Sequence, residues 1–317
     1  MILAGDIGGT NTRLALFDRG KMAGAEATFS SLSHGSLEEI LEEFLRGKKV
    51  ERACFGVAGP VRDGRCRITN LPWVIDAGHI SRTLQIPSVS LLNDLEANAY
   101  GLKALKKEEL FCLHAGKPQT GNQALIAAGT GLGEAGLFWD GKEHRPFACE
   151  GGHVDFAPRN ELEIELLLYL KTKFGHVSYE RIVSGPGLHS LFQFLIDSGR
   201  EKWDPALQKE MENGDPSKVI SHWGKEGKDR ACLRAVDWFL SIYGSEAGNM
   251  ALKFFALGGV YVGGGIAPQL IEKMKKGAFY ASFVDKGRFK ELLESIPVWI
   301  VLNDRAALLG AARYAEK

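Results

Sequence analysis

One pattern occurs twice in the 317 residues, and it limits the folds open to the chain: an apolar strand, a turn of Gly and Thr, and a returning apolar strand. The first copy is residues 1–17, MILAGDIGGTNTRLALF, where Ile2-Leu3-Ala4 runs to Asp6, Gly8-Gly9-Thr10-Asn11-Thr12 turn, and Leu14-Ala15-Leu16-Phe17 return. The second copy is residues 124–139, turning at Gly129-Thr130-Gly131-Leu132-Gly133. Short apolar runs bounded by such turns read as buried strands. A repeated hairpin, followed in each half by alternating helices and strands, predicts a duplicated α/β protein with sheets that contain parallel members. In such sheets ligands bind beyond the C-terminal ends of the strands.

The turns carry the first chemical hint. Adjacent glycines admit a positive φ and let a ligand approach the backbone closely. Successive N–H groups there can face an anion, with the Thr10 and Thr12 hydroxyls as further donors. Asp6, at the strand end, is poorly suited to phosphate itself and well suited to Mg²⁺ held through water beside phosphates. A plain tight hairpin explains the same residues.

Length favours two domains, because a single core seldom grows past 250–300 residues. The expected division is 1–103 plus 296–317 as a small α/β domain and 104–295 as a large one. Residues 103–107, rich in Lys, read either as a linker or as a solvated helix end. The 39 basic and 39 acidic residues cancel and nowhere concentrate, which argues against nucleic acid or an anionic membrane surface as partner. No run approaches the length of a membrane span, and no signal-peptide pattern precedes the first strand. The five cysteines (54, 66, 112, 149, 232) form no C-x-x-C and read as reduced thiols of a cytoplasmic protein.

Further elements follow from pattern. Residues 25–29 suit a third strand. Ser36-x-x-Glu39 is a capping box ahead of Leu37, Ile40, Leu41, Phe44 and Leu45 on one helical face. Strands are expected at 53–58, 88–92, 259–262 and 297–302, and helices at 77–84, 161–174, from Pro186, over 233–254, after Pro268, and at 306–315. Residues 200–228 are polar and read as a surface insertion without a motif.

Gly131-x-Gly133-x-x-Gly136 matches the dinucleotide fingerprint formally, but a strand rather than a helix follows it, so that reading is rejected. No G-x-x-x-x-G-K-[ST] occurs. Asn93-Asp94, delivered at a strand end, offers a general base beside an orienting amide; the plainer reading is a helix N-cap. Glu150 and His153 on a Gly-Gly loop can bond neighbouring hydroxyls of a polyol, and His153-x-Asp155 lacks the further ligands a metal site needs. Glu180 is either a third polar contact or a residue favoured at a helix start. Gly263-Gly264-Gly265 permits a flat ligand against the backbone, or close packing of helix on strand.

In order along the chain, Asp6-Ile-Gly-Gly-Thr-Asn, Leu91-Leu-Asn-Asp94, Gly129-Thr-Gly-Leu-Gly, Glu150-Gly-Gly-His-Val-Asp-Phe-Ala-Pro158, His176-Val-Ser-x-Glu180-Arg, Gly263-Gly-Gly265 and Asp285-Lys-Gly-Arg-Phe-Lys290 resemble bacterial glucokinases of the enterobacterial type. The resemblance spans nearly the whole chain. It implies a two-domain duplicated actin/hexokinase-like (ribonuclease H-like) fold with an interdomain active-site cleft, ATP and Mg²⁺, and phosphorylation of D-glucose at O6. It further implies that Asp94 is the base, and that Thr69, Asn70, Asn93, Glu150, His153 and Glu180 hold the sugar together with Asp94. Asp6 then faces Mg²⁺ through water. Gly8, Gly9, Thr10, Asn11, Gly129, Thr130 and Gly131 face the phosphates, and Gly263, Gly264 and Gly265 the adenosine. Dimers are common in the family, so a homodimer is expected. The related repressor-type sugar kinases carry a Cys-rich zinc loop that this chain lacks. The rival readings are a kinase for mannose, fructose or an N-acetylated amino sugar, a sugar sensor of the same fold without turnover, and an actin- or chaperone-like ATPase.

Overall fold

The computed structural model describes residues 1–68 and 71–317. The expected sugar contacts Thr69 and Asn70 lie outside the described residues. The chain divides into two compact units: Met1–Glu109 with Arg145–Ala148 and Asn303–Lys317, and Leu110–His144 with Cys149–Leu302.

In the first unit β1 (Ile2–Ile7) pairs antiparallel with β2 (Asn11–Asp18), which also holds the short edge strands β3 (Lys21–Met22) and β4 (Ala27–Ser30). On the other side β1 pairs parallel with β5 (Arg52–Val57), and β5 parallel with β8 (Ser88–Asn93). Between them β6 (Arg65–Arg67) and β7 (Val74–Asp76) form a separate ribbon. The helices α1 (Leu37–Leu45) and α2 (Ala77–Leu84) supply the crossovers, and α3 (Asp94–Gly101) follows β8. Ser36 caps α1 as its sequence pattern predicts, accepting from Glu39 N at 3.4 Å, while the Glu39 carboxylate reaches back to Gly35 N at 2.8 Å.

Alternation along β1 sorts its side chains between two cores. Leu3 and Ile7 join Leu14, Phe55 and the inner faces of α1 and α2, whereas Ala4 joins Ala15, Cys54 and Ala97 on the opposite face. The second set is small, so helices approach closely there: a methyl group on Gly56 would stand 2.8 Å from the Ala97 Cβ. α3, the helix that begins at Asp94, is seated on the sheet through this contact.

The second unit repeats the layout. β9 (Leu110–His114) opens it, and β10 (Gln123–Ala128) and β11 (Leu132–Trp139) form its antiparallel hairpin; of β12 (His144–Ala148), residues 145–148 fall in the first unit. β10 pairs parallel with β13 (Gly259–Gly263), β13 parallel with β14 (Val298–Val301), and β14 antiparallel with β9. An antiparallel hairpin followed by two parallel strands thus occurs in each unit.

Helices α4 (Glu161–Phe174), α5 (Gly185–Asp197), α6 (Pro205–Glu212), α7 (Pro216–Glu226) and the long α8 (Arg230–Lys253) follow. The short α9 (Ile271–Met274), α10 (Ala278–Val284) and α11 (Lys290–Ser295) complete the unit. α8 is its axis: Val236, Phe239, Leu240, Tyr243, Ala247 and Met250 are buried in one large core. The expected surface insertion at 200–228 contains α6 and α7. Asp204 and Asp215 cap them, each followed by Pro at the first helical position, and Leu207, Met211, Val219 and Ile220 are buried.

The chain returns to the first unit at Asn303 and ends in α12 (Ala306–Ala315), which lies on α3. A Cβ on Gly310 would stand 1.7 Å from Ala97 O, and one on Gly101 1.9 Å from Ala306 O, so both glycines are required by the approach of the two helices. The expected boundary at 295/296 differs from this division. Residues of β14 hydrogen-bond to β13 and belong with the second unit, and only 303–317 return.

Candidate active site

In the first unit the register aligns three strand ends. Asp6 of β1 lies opposite Gly56 of β5, and Val57 opposite Asn93 of β8. The turn after β1 is closed by Gly8 N donating to Asn11 O at 2.9 Å. Neither Gly8 nor Gly9 is among the residues with positive φ, so the expectation of a left-handed turn is not met. What Gly8 supplies is room: a Cβ there would lie 3.1 Å from Asn11 O.

Ser31, which no sequence pattern marks, fastens the turn. Its N–H donates to Thr10 O at 2.9 Å and its hydroxyl to Gly8 O at 2.9 Å, while Thr12 Oγ1 lies 3.0 Å from Ser31 Oγ. Thr12 is fully buried in this contact and so is not available to a ligand.

Asp6 keeps some solvent contact, yet burial pushes its carboxyl up to about 6, with Asp304 and Glu26 adding to the rise and Arg13 opposing it. Arg13 is shared with Asp304, at 3.0 Å. A carboxyl whose ionisation is opposed by burial and by Asp304 and Glu26 is suited to a hard divalent cation. Among the described residues no group of three or more His, Cys, Asp and Glu could cage a metal. That donor set fits Mg²⁺, which keeps its waters and takes one or two carboxylates together with substrate phosphates.

At the end of β8 the two readings of Asn93-Asp94 divide between the residues. Asn93 is the N-cap of α3: its Oδ1 accepts from Leu95 N at 3.0 Å and Glu96 N at 3.3 Å, and its Nδ2 donates to Gly59 O at 3.3 Å. It is 7% exposed. Asp94, the first helical residue, is partly exposed, and its Oδ1 accepts from Leu95 N at 2.9 Å. Capping therefore falls to Asn93, and Asp94 presents a carboxylate at the helix start.

In the second unit the turn of Gly129, Thr130 and Gly131 joins β10 directly to β11. No helix follows, so the dinucleotide fingerprint is excluded here too. Gly129 N donates to Gly131 O at 2.8 Å, and Gly185 N, at the start of α5, donates to Gly129 O at 2.8 Å. Ser217 of α7 donates to Gly185 O at 2.7 Å, so the helices at 205–226 brace this turn through the head of α5.

Glu180 lies against the same turn. Its Oε2 accepts from Leu132 N at 2.9 Å, and a Cβ on Gly131 would stand 2.5 Å from that oxygen. Its Oε1 is 3.5 Å from His153 Nε2, and His153 Nδ1 is 3.8 Å from Glu150 Oε2. Glu150, His153 and Glu180 therefore form one cluster, a row of acceptors with an imidazole between, suited to several hydroxyls of one ligand. His176, quoted with this motif, pairs with Asp155 at 2.8 Å.

The Gly263-Gly264-Gly265 run divides between close packing and open space. Gly264 has φ +80°, and a Cβ there would lie 2.3 Å from Ala128 O, so it is a packing glycine. Nothing lies within 4 Å of a Cβ on Gly265, which leaves open space.

Beneath the cluster is a residue absent from the expected site. Glu134 of β11 is 2% exposed, and its Oε1 has no hydrogen-bond partner among the described residues. Its position inside an otherwise apolar strand is visible in the sequence, but its burial depends on Gly151 and α8.

The sequence profile of the Glucokinase family matches residues 3–317. A glucokinase of Trichormus variabilis is 40% identical over 100% of this chain and 99% of its own length. One from Shigella dysenteriae is 37% identical over 99% of this chain and 97% of its own. The crystal structure of a glucokinase from an Antarctic psychrotroph superposes with a TM-score of 0.84 at 30% identity, covering 99% of this chain and 98% of that one. Identity of this order, sustained from the first hairpin to the last helix, places this chain in the glucokinase family.

Proposed function

We propose that the protein transfers the γ-phosphoryl group of ATP to O6 of D-glucose, giving glucose 6-phosphate and ADP, and so feeds glycolysis. Family membership over the full length supports the reaction. The observation that carries the mechanism is the division of labour at the head of α3, where Asn93 caps and Asp94 offers its carboxylate.

Asp94 accepts the O6 proton as the bond from O6 to the γ-phosphorus forms and the bond from that phosphorus to the bridging oxygen breaks, the electron pair leaving with ADP. A positioned base of this kind contributes roughly 10²–10⁴-fold. Glu150, His153 and Glu180 hold the remaining sugar hydroxyls, fixing O6 in line; such transfer asks the protein chiefly for positioning and charge stabilisation. Backbone N–H groups of the two Gly turns face the phosphates, and the space beside Gly265 receives the adenosine. Mg²⁺ beside Asp6 would spread the charge on the phosphates. Asn93, with its amide engaged at Leu95, Glu96 and Gly59, positions Asp94 and keeps a second Nδ2 hydrogen for a sugar hydroxyl.

No helix of the described residues is long and apolar enough to cross a membrane, and the cysteines are thiols, which suits an ATP-consuming enzyme of the cytoplasm. A homodimer belongs to the same reading and is measured by sedimentation.

The test is ADP release with Mg·ATP, without sugar and with glucose, mannose, fructose or N-acetylglucosamine. Glucose-dependent turnover with little background is expected, and Asp94→Asn should bind glucose normally while losing about 10²–10⁴-fold in kcat. Near-normal turnover by Asp94→Asn would remove it from the mechanism, and stronger turnover with another sugar would reassign the substrate.

A further inference from the structure

Directly below the loop that carries Glu150 and His153, the Glu134 side chain fills the place where any other residue at position 151 would put its Cβ. That atom would stand 1.8 Å from Glu134 Oε2 and 2.7 Å from its Cδ. The loop's first residue is tied to the same strand position, Cys149 Sγ donating to Glu134 O at 3.3 Å. Behind Glu134 stands Glu246 of α8, fully buried and bonded to Asn249 Nδ2 at 2.8 Å and Lys253 Nζ at 3.2 Å. Asn249 also donates to the hydroxyl of Tyr179, the residue before Glu180, at 3.2 Å. One buried polar group thus meets the sugar loop, the segment bearing Glu180 and the central helix of the unit.

A buried carboxyl with an oxygen lacking any partner is costly, and more so when ionised beside a second carboxylate. Apolar residues flank it in β11, and one there would cost nothing of the kind. Retention of such a group under the ligand-binding loop points to a role in that loop.

We propose that Glu134 is a positioning residue for the sugar: as a neutral acid it supports the loop of Glu150 and His153 from below, and its ionisation displaces that loop and weakens glucose binding. The proposal rests on the reading that Glu150 and His153 hold the sugar. Ionisation would set a charge against Glu246, offset by Lys253, and the backbone standing directly over the carboxylate is that of Gly151.

The titratable groups facing Glu134 are Glu246, Lys253 and Tyr243 on α8, and Cys149 and Glu150 at the loop, with Tyr179 beyond Glu246. Burial, with Glu246 adding and Lys253 opposing, pushes the Glu134 carboxyl up to about 8, and burial drives Cys149, Tyr179 and Tyr243 upward as well. Lys286, bonded to Ser245 on α8 at 3.0 Å, is lowered to about 8 by burial and Arg159, so it titrates in the same interval. Glu134→Gln leaves Lys286 in place, and the difference between the two profiles therefore isolates Glu134.

The experiment measures glucose KM, kcat and calorimetric glucose affinity at intervals between about pH 6.5 and pH 9.5, for the wild type and Glu134→Gln, with melting temperature recorded at each pH. The wild-type KM for glucose should rise about 10-fold between roughly pH 7 and pH 9 while kcat changes less than about twofold. Glu134→Gln, neutral throughout, should match the wild type near pH 7 and stay flat. A flat wild-type profile, or an equal rise in Glu134→Gln, would overturn the proposal. Glu150→Gln and His153→Ala at pH 7 test the reading beneath it: an unchanged glucose KM in both would mean that the sugar lies elsewhere.

Discussion

The hairpins that open the two units share a topology and differ in how they hold an acid. Asp6 sits at the end of β1 near Arg13, Asp304 and Glu26; Glu134 sits within β11, sealed, with an oxygen that bonds to nothing. Burial raises both carboxyls. The first retains access to solvent, so an arriving cation can ionise it. The second has no route for a counter-ion and remains an uncharged acid at neutral pH. The turns differ likewise: hydroxyls of Ser31 and Thr12 fasten the first, whereas the carboxylate of Glu180 fastens the second and ties it to the sugar cluster. The comparison teaches that a repeated backbone can be given different surroundings by a few side chains: an acid open to solvent in one copy, and a turn tied to the cluster of Glu150, His153 and Glu180 in the other.

The largest effect that separates the copies should come from Asp6→Asn, which removes the ionisable oxygen. We expect kcat to fall about 100-fold, the size of effect seen when a group acting on a metal through an outer shell is lost, with glucose affinity unchanged by calorimetry. An equal loss of glucose affinity would erase the distinction between the hairpins.

Glu180→Gln should raise the glucose KM by roughly 10–100-fold, the range expected for a charge-assisted hydrogen bond of about 1.5–3 kcal/mol. Because the same side chain holds Leu132 N, the KM for ATP should rise as well, by a smaller factor. Steady-state kinetics against each substrate would show whether the two effects travel together.

Gly151→Ala should destabilise the protein by about 1–3 kcal/mol, the usual cost of forcing extra volume into a packed site. Combined with Glu134→Ala, which empties the opposing volume, that cost should shrink. Additive losses in denaturant titrations would place the conflict elsewhere.

Glu134→Gln should alter stability in a pH-dependent way. The folded state holds the Glu134 proton up to about pH 8, while the unfolded chain releases it near 4.5. The stability this group contributes is therefore fully present below 4.5 and is lost as pH rises towards 8. The Gln variant should match the wild type near pH 4 and exceed it by about 1–3 kcal/mol near pH 8, read as a higher melting temperature. Ser31→Ala is the smallest change, about 0.5–1.5 kcal/mol, and should move the KM for ATP without moving that for glucose.

Much of this architecture is legible in the sequence because its signals are local. The hairpins, the Ser36 cap, and the helices at 77–84, 161–174 and 306–315 come from periodicity and capping alone, as does the exclusion of a dinucleotide site at Gly131. The helices at 205–212 and 216–226 were also written locally, in Asp204-Pro205 and Asp215-Pro216, but polar composition hid a cap-and-proline signal that outweighs it. Other features depend on partners distant in sequence. Ser31 matters because β4 brings it to Gly8, and Glu134 because Gly151 and Glu246 close over it. β14 joins the second unit through pairing with a strand nearly forty residues earlier. At Asn93-Asp94 the sequence presented two explanations for one pair, and the hydrogen bonds give one to each residue.

The seating of α12 on α3 bears on how the chain is made. One face of the first sheet is completed only by Ala307, Leu308, Ala311 and Ala312, contributed after the whole second unit has been synthesised. During translation the second unit can therefore reach its native packing first, while the earlier-emerging half waits with Ala4, Cys54, Ala97 and the Gly101 groove uncovered. The head of α3 at Asp94 is therefore seated only after residues 306–312 have been made.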